Sequence, residues 1–268
     1  MAASTRDSAR QLTVAAAALI AIGGAVVGSG EVGGTPVSEA AGGALAADAT
    51  FVAPGGPAFV IWSVLYAGFV ALAVWQLLPA QRMNRRLQRT GWLVALSLLL
   101  NAIWLAAIQL GWLTASVGII VALLATLAVI FGRCVQTRPR SATEAVLLDG
   151  VMGLYLGWVA VATIANTAAA ASAGGAGDLV LGAQVWAIVV LSAAAVIGVT
   201  LAVFSGGRLG VSLAIVWGLA WIGYARLETA PESTAVAGAA FAAALVVALG
   251  TVLARFGVGR RRALRLAT

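Results

Sequence analysis

Eight stretches of about 20 mostly apolar residues run through this chain, each long enough to cross a hydrocarbon core as a helix. They fall at roughly 11–29, 57–79, 91–110, 112–132, 145–172, 180–204, 209–225 and 235–256. Backbone in lipid must satisfy its own polar groups, so stretches of this kind predict helices. The expected fold class is all-α, a polytopic transmembrane bundle of about eight helices. Composition agrees, since 62% of the 268 residues are hydrophobic and 9% charged, against about 45–50% and about 25% in a soluble domain. Most of the outer surface therefore has to face lipid. The first stretch follows Arg6 and Arg10 and ends in small residues, which is the outline of a cleavable signal. Its length and the spans that follow favour a retained helix.

Charge fixes an expected orientation. With the N-terminus inside, fifteen of the 16 basic residues fall on one side: Arg6 and Arg10, the Arg82–Arg89 group, Arg133, Arg138 and Arg140, Arg208, and the tail from Arg255 to Arg265. Only Arg226 falls outside. One missed span would reverse every later loop, so both termini are expected in the cytoplasm of a multi-pass cell-membrane protein. Glu31, Glu39, Asp48, Asp178, Glu228 and Glu232 land outside. Directly after a span, the Arg-rich tail reads as topology signal and anionic-lipid contact, not as a nucleic-acid surface.

The missing residue types exclude much chemistry. There is no His and, because every basic residue is Arg, no Lys. Imidazole bases, His-ligated metals, Schiff-base cofactors and P-loop phosphate binding are removed together. Cys134 stands alone, so no internal disulfide forms. The nine acids sit mostly in loops, away from apolar surroundings that would tune them. An enzyme is not expected, nor is a cofactor or a metal site.

Polar and aromatic residues inside the spans carry the functional reading. Trp75, Trp92, Trp112 and Trp186 read as interfacial rings. Trp62 and Tyr66 share a face of the second helix, as do Asn101 and Trp104 of the third. In the fifth, Tyr155, Trp158, Ala162 and Asn166 draw one continuous stripe. An amide in hydrocarbon needs a partner, so Asn101 and Asn166 should face the bundle interior, either as glue between helices or as ligand contacts. Rings grouped with two amides and opening outward suit a flat, mostly apolar ligand with a few hydrogen-bonding groups. The row Trp217, Trp221 and Tyr224 reads as core packing before a second wall, and Leu219, Tyr224 and Arg226 fit a loose sterol-contact pattern. Asp149 reads as a helix-dipole partner before a proton carrier. The Gly30–Gly56 loop is a lid or a connector.

These residues resemble the TspO/MBR family, the tryptophan-rich sensory proteins related to the translocator protein. Pro57-Ala58-Phe59-Val60-Ile61-Trp62-Ser63-Val64-Leu65-Tyr66 is similar to the family's opening of its second helix, Asn101-Ala102-Ile103-Trp104 to its Asn-x-x-Trp in the third, and Trp158 through Asn166 to its Trp-x-x-Phe-Ala-Thr-x-x-Asn in the fifth. The loop before helix 2 departs, reading Val52-Ala53-Pro54-Gly55-Gly56 where the family carries a Trp and paired prolines. The likeness covers roughly residues 11–172. It implies a five-helix membrane bundle over 1–173, with 174–268 as a three-helix extension ending in the Arg-rich tail.

By that resemblance the protein is a sensor or receptor binding a porphyrin, another tetrapyrrole or a lipid in an outward-facing aromatic pocket. The matching positions are Trp62, Asn101, Trp104, Trp158 and Asn166, and the helix faces read above add Tyr66 and Tyr155 as ligand-binding candidates. A secondary transporter is the alternative, and a scaffold with packing Trp residues the third reading. Expected partners are membrane lipid and a hydrophobic small molecule, with a tetrapyrrole and a homodimer as candidates and no nucleic acid.

Overall fold

The computed structural model describes residues 5–30, 33–175 and 181–266, with side chains through residue 257. Glu31 and Asp178, assigned above to the outer side, lie outside the described residues, as do the side chains of Arg260, Arg261, Arg262 and Arg265. The long helices are α1 (Thr5–Gly28), α2 (Ile61–Leu77), α3 (Arg85–Gln109), α4 (Leu113–Val135), α5 (Val151–Ala173), α6 (Ala183–Ser205), α7 (Leu209–Glu228) and α8 (Thr234–Leu266). Each belongs to a segment long and apolar enough to cross a membrane. No strand occurs among the described residues, so the chain is the all-α polytopic protein expected.

Helix ends follow local chemistry that an apolar scan does not see. α3 begins well before residue 91 because the Asn84 side chain caps it, accepting from the backbone N–H of Arg86 at 2.9 Å and of Leu87 at 3.4 Å. Ser141 accepts from the N–H of Glu144 at 3.1 Å and starts the segment leading to α5. A short helical turn, Ala142–Glu144, and a π-helical turn, Ala145–Gly150, precede α5 proper. Gly111, at φ +71°, makes the abrupt turn that lays α4 back along α3.

By packing, the chain forms two compact units: Met1–Leu45 with Val60–Met152, and Ala46–Phe59 with Gly153–Thr268. This grouping is distinct from the 1–173 and 174–268 division drawn from motifs. In the first unit α1 packs on α3 and α2, and α3 on α4. Its interior is aliphatic, with Leu65, Leu98, Ile108, Leu123, Leu127 and Ile130 almost fully buried. In the second unit α8 packs on α7 and α6.

Glycines set the closest approaches in the second unit. A Cβ at Gly157 would overlap the Val211 carbonyl oxygen, and one at Gly153 would lie 3.3 Å from the Val211 nitrogen, so these two residues, four apart, seat α5 on α7. On the other side of this contact, a Cβ at Gly218 would lie 2.8 Å from Val161. Gly198 and Gly250 do the same between α6 and α8, facing Val247 and Val199. Helices in lipid gain by contact and not by hiding apolar surface from water, so small residues at crossings are a main source of adhesion.

The long loop is tied down within each unit. Gln109 brackets Thr35, accepting from its N–H at 3.1 Å and donating to its carbonyl at 2.6 Å. In the second unit the Gly55 N–H donates to the Trp221 carbonyl at 3.2 Å, and the Trp217 indole N–H donates to the Ala58 carbonyl at 2.9 Å. Neither part is a bare connector.

Candidate functional site

In the first unit Trp62, Tyr66 and Asn101 meet. The Trp62 and Tyr66 rings stack with centroids 5.6 Å apart, and the Asn101 amide donates to the Tyr66 hydroxyl at 2.9 Å. Tyr66 then packs edge-on against Phe69 at 5.6 Å. Trp104 lies one turn beyond Asn101, and both are buried. The Asn101 carbonyl oxygen and the Trp104 indole N–H have no hydrogen-bond partner. An acceptor and a donor left bare on one helix face, beside a phenol and an indole ring, make a polar corner in an apolar wall. Burying such groups unpaired costs about 1–3 kcal/mol each.

Tyr155, Trp158 and Asn166 belong to the second unit, on one face of α5, and all three are buried. Phe59 meets Trp158 edge to face at 5.8 Å. The predicted positions thus fall into two sets, one on α2 and α3 and one on α5.

Several residues read from sequence in other ways have definite structural work. Trp217, Trp221 and Tyr224 form consecutive edge-to-face pairs at 5.7 and 5.3 Å. They are not core: Trp217 and Tyr224 are exposed, and the row serves as a ledge for the loop at Gly55 and Ala58. A Cβ at Gly55 would lie 3.3 Å from the Trp221 ring, which is why this part of the Pro-Gly-Gly-Pro run has no side chain.

Arg226, the single cation expected outside, is fully buried. Its guanidinium donates to the carbonyls of Thr50 at 3.0 Å, Pro231 at 3.1 Å and Ala47. It pins the loop to the end of α7. Arg86 is buried as well, donating to Glu144 at 3.1 Å, Asp149 at 2.5 Å, the Thr137 hydroxyl at 2.9 Å and the Cys134 carbonyl at 3.2 Å. Asp149 is therefore an ion-pair partner within the π-helical turn, not simply a dipole partner at a helix start. Two carboxylates share one guanidinium there. Among the described residues no group of three His, Cys, Asp or Glu side chains could hold a metal ion.

The second unit also contains a cavity of about 650 Å³. Its walls come from the 49–52 loop, the C-terminal half of α5, the start of α6 and Pro231. None of the seven predicted site residues lines it. At about 100° per residue, Ile164, Thr167, Ala168 and Ala171 centre on the side of α5 opposite the Tyr155–Trp158–Asn166 stripe. Trp186, read from sequence as an interfacial ring, is one of the lining residues and is also exposed. Sequence reasoning missed this face because Ala, Thr and Ser at helical spacing look like ordinary lipid-phase packing. The signal available was Arg226, whose placement against the charge trend marked a residue held by structure.

The comparisons with known proteins bear on the whole chain. No curated protein and no solved structure matches it. The model of one family, described as TSPO-like protein, matches residues 12–253, running through all eight helices and well past the segment that carries the motif likeness. Eight apolar helices, the α2 and α3 aromatic–amide corner and a match over this length agree, and the chain belongs to the TSPO-like protein family.

Proposed function

We propose that this protein is a membrane-embedded sensor or receptor that binds a flat hydrophobic ligand, a porphyrin or another tetrapyrrole, at the Trp62–Tyr66–Asn101–Trp104 corner. The observation that carries the reading is the pair of bare polar atoms, the Asn101 oxygen and the Trp104 indole N–H, beside stacked rings. A macrocycle with ring N–H groups and peripheral carbonyl or carboxyl oxygens supplies one donor and one acceptor to that pair while its face lies on the indole. Tyr155, Trp158 and Asn166 are proposed as a second set of ligand contacts on α5. The proposed orientation has both termini in the cytoplasm, following the Arg distribution.

Titration of the purified protein with protoporphyrin, followed by quenching of Trp fluorescence, tests the reading. Saturable quenching that weakens tenfold or more in Asn101→Leu supports it, because an unpaired polar group costs about 1–3 kcal/mol of affinity. Unchanged affinity in Asn101→Leu returns the amide to glue between helices.

A carrier is the second reading, and the observation behind it is the buried Arg86–Glu144–Asp149 group. Coupled transport commonly uses buried acids in spanning segments. Liposome flux separates the two, since binding without transmembrane movement of the ligand rules out the carrier.

A further inference from the structure

We propose that the cavity formed by α5, α6 and the 49–52 loop is a binding site for an uncharged lipid bearing a hydroxyl or carbonyl group. It shares no residue with the Tyr66–Asn101–Trp104 corner. At about 650 Å³ it has the size of a small-molecule site. Among the described residues no charged side chain lines it, and much of the wall is alanine from α5 and α6. A phosphate or carboxylate entering such a space would lose its water and gain no counter-ion, so the occupant is neutral.

The polar groups in the wall are few and placed toward one end. Thr163 spends its hydroxyl on its own helix, donating to the Val159 carbonyl at 2.7 Å. Thr167 and Ser172 are exposed and line the cavity, as does Trp186 at the start of α6. These three lie toward the C-terminus of α5 and the N-terminus of α6, where the chain leaves the membrane, whereas Ile164 and Val190 lie deeper along the same helices. The polar group of the occupant is received near Ser172 and Trp186, and its apolar body runs inward between Ile164 and Val190. An indole at that level suits the boundary between headgroups and hydrocarbon.

The wall is fixed before the occupant arrives. Arg226 holds the carbonyls of Ala47 and Thr50 on one side and of Pro231 on another, and Thr50 and Pro231 both line the cavity. A wall already ordered lowers the entropy lost on binding. Its two terminal nitrogens are occupied by these carbonyls, and Arg226 is not itself a lining residue.

Photo-crosslinking of the full chain in lipid nanodiscs tests the proposal, using a monoacylglycerol with a diazirine in its acyl chain and peptide mass spectrometry to locate the adducts. The expected result is saturable labelling concentrated within residues 163–172 and 183–190. Ala168→Phe, which fills the space, should lower it at least fivefold. Thr167→Val, which keeps the side-chain shape and removes the hydroxyl, should lower it about threefold. Asn101→Leu should leave it unchanged, so this proposal and the tetrapyrrole reading fail separately. Labelling that rises linearly with probe, or that ignores both α5 substitutions, overturns the site. Equal labelling by a phosphatidylglycerol with the same photoreactive chain overturns the neutral occupant.

Discussion

Trp104 carries a donor with nothing to donate to, and this makes it the sharpest single-residue probe of the molecule. Trp104→Phe keeps a ring in place and removes only the buried N–H. If the indole is packing alone, stability should stay level or rise, since an unpaired donor has been deleted. The expected outcome is instead a fall in porphyrin affinity of several-fold with no fall in thermal midpoint, read by fluorescence titration and a melting curve on the same sample. Arg226 makes the opposite case, since its charge is spent on structure. Arg226→Met should destabilise the protein by about 1.5–3 kcal/mol, the range for hydrogen bonds to a charged group. It should also speed proteolysis within residues 46–53, while porphyrin affinity at the α2 and α3 corner holds. From sequence, Arg10, Arg86 and Arg226 read as topology charges, yet all three are buried. Counting charges gives the side of the membrane on which a loop lies; it gives no information on whether a long guanidinium stem folds back into the protein.

At the scale of elements, the spans were legible because hydrocarbon thickness dictates their length, and every one of the eight appears close to its predicted position. Their ends were less legible. The start of α3 is set by the Asn84 cap and the approach to α5 by Ser141 and a π turn, which are backbone devices with weak hydropathy signatures. The stripe on α5 was legible from its period. The opposite face was not, because its role depends on α6 and the loop standing across from it. Helix packing gives a test that separates glycines of equal appearance. Gly157→Ala should cost about 1–3 kcal/mol by overpacking against Val211. Gly118→Ala on α4, where nothing lies within 4 Å, should be neutral or gain about 0.5–1 kcal/mol from helix propensity. Denaturation of the two variants in one detergent checks the sign of each effect.

Across the whole molecule, the alternation of eight spans with Arg on one side gives a prediction of its own. Cys134 is buried, so introduced thiols can be read against a quiet background. Cysteines replacing the exposed residues Glu39 and Gly174 should react with an impermeant maleimide added outside intact cells, and those replacing the exposed Arg82 and Arg138 should not. Reaction of Arg82→Cys from outside would reverse the orientation. The all-α membrane architecture and the family were legible from the sequence, while the grouping of residues 46–59 with α5 to α8 was not, since it rests on Gly55, Ala58 and Thr50 docking to residues more than 150 positions away. Helix α5 carries the aromatic–amide stripe on one side and the cavity wall on the other. A helix moves as one body, so if both proposed sites are occupied, a molecule that shifts or steadies α5 from the cavity changes the free energy of binding at the stripe. Thermodynamic linkage then requires reciprocity: whatever factor a neutral lipid applies to the affinity at the stripe, occupancy of the stripe must apply the same factor to the affinity for that lipid.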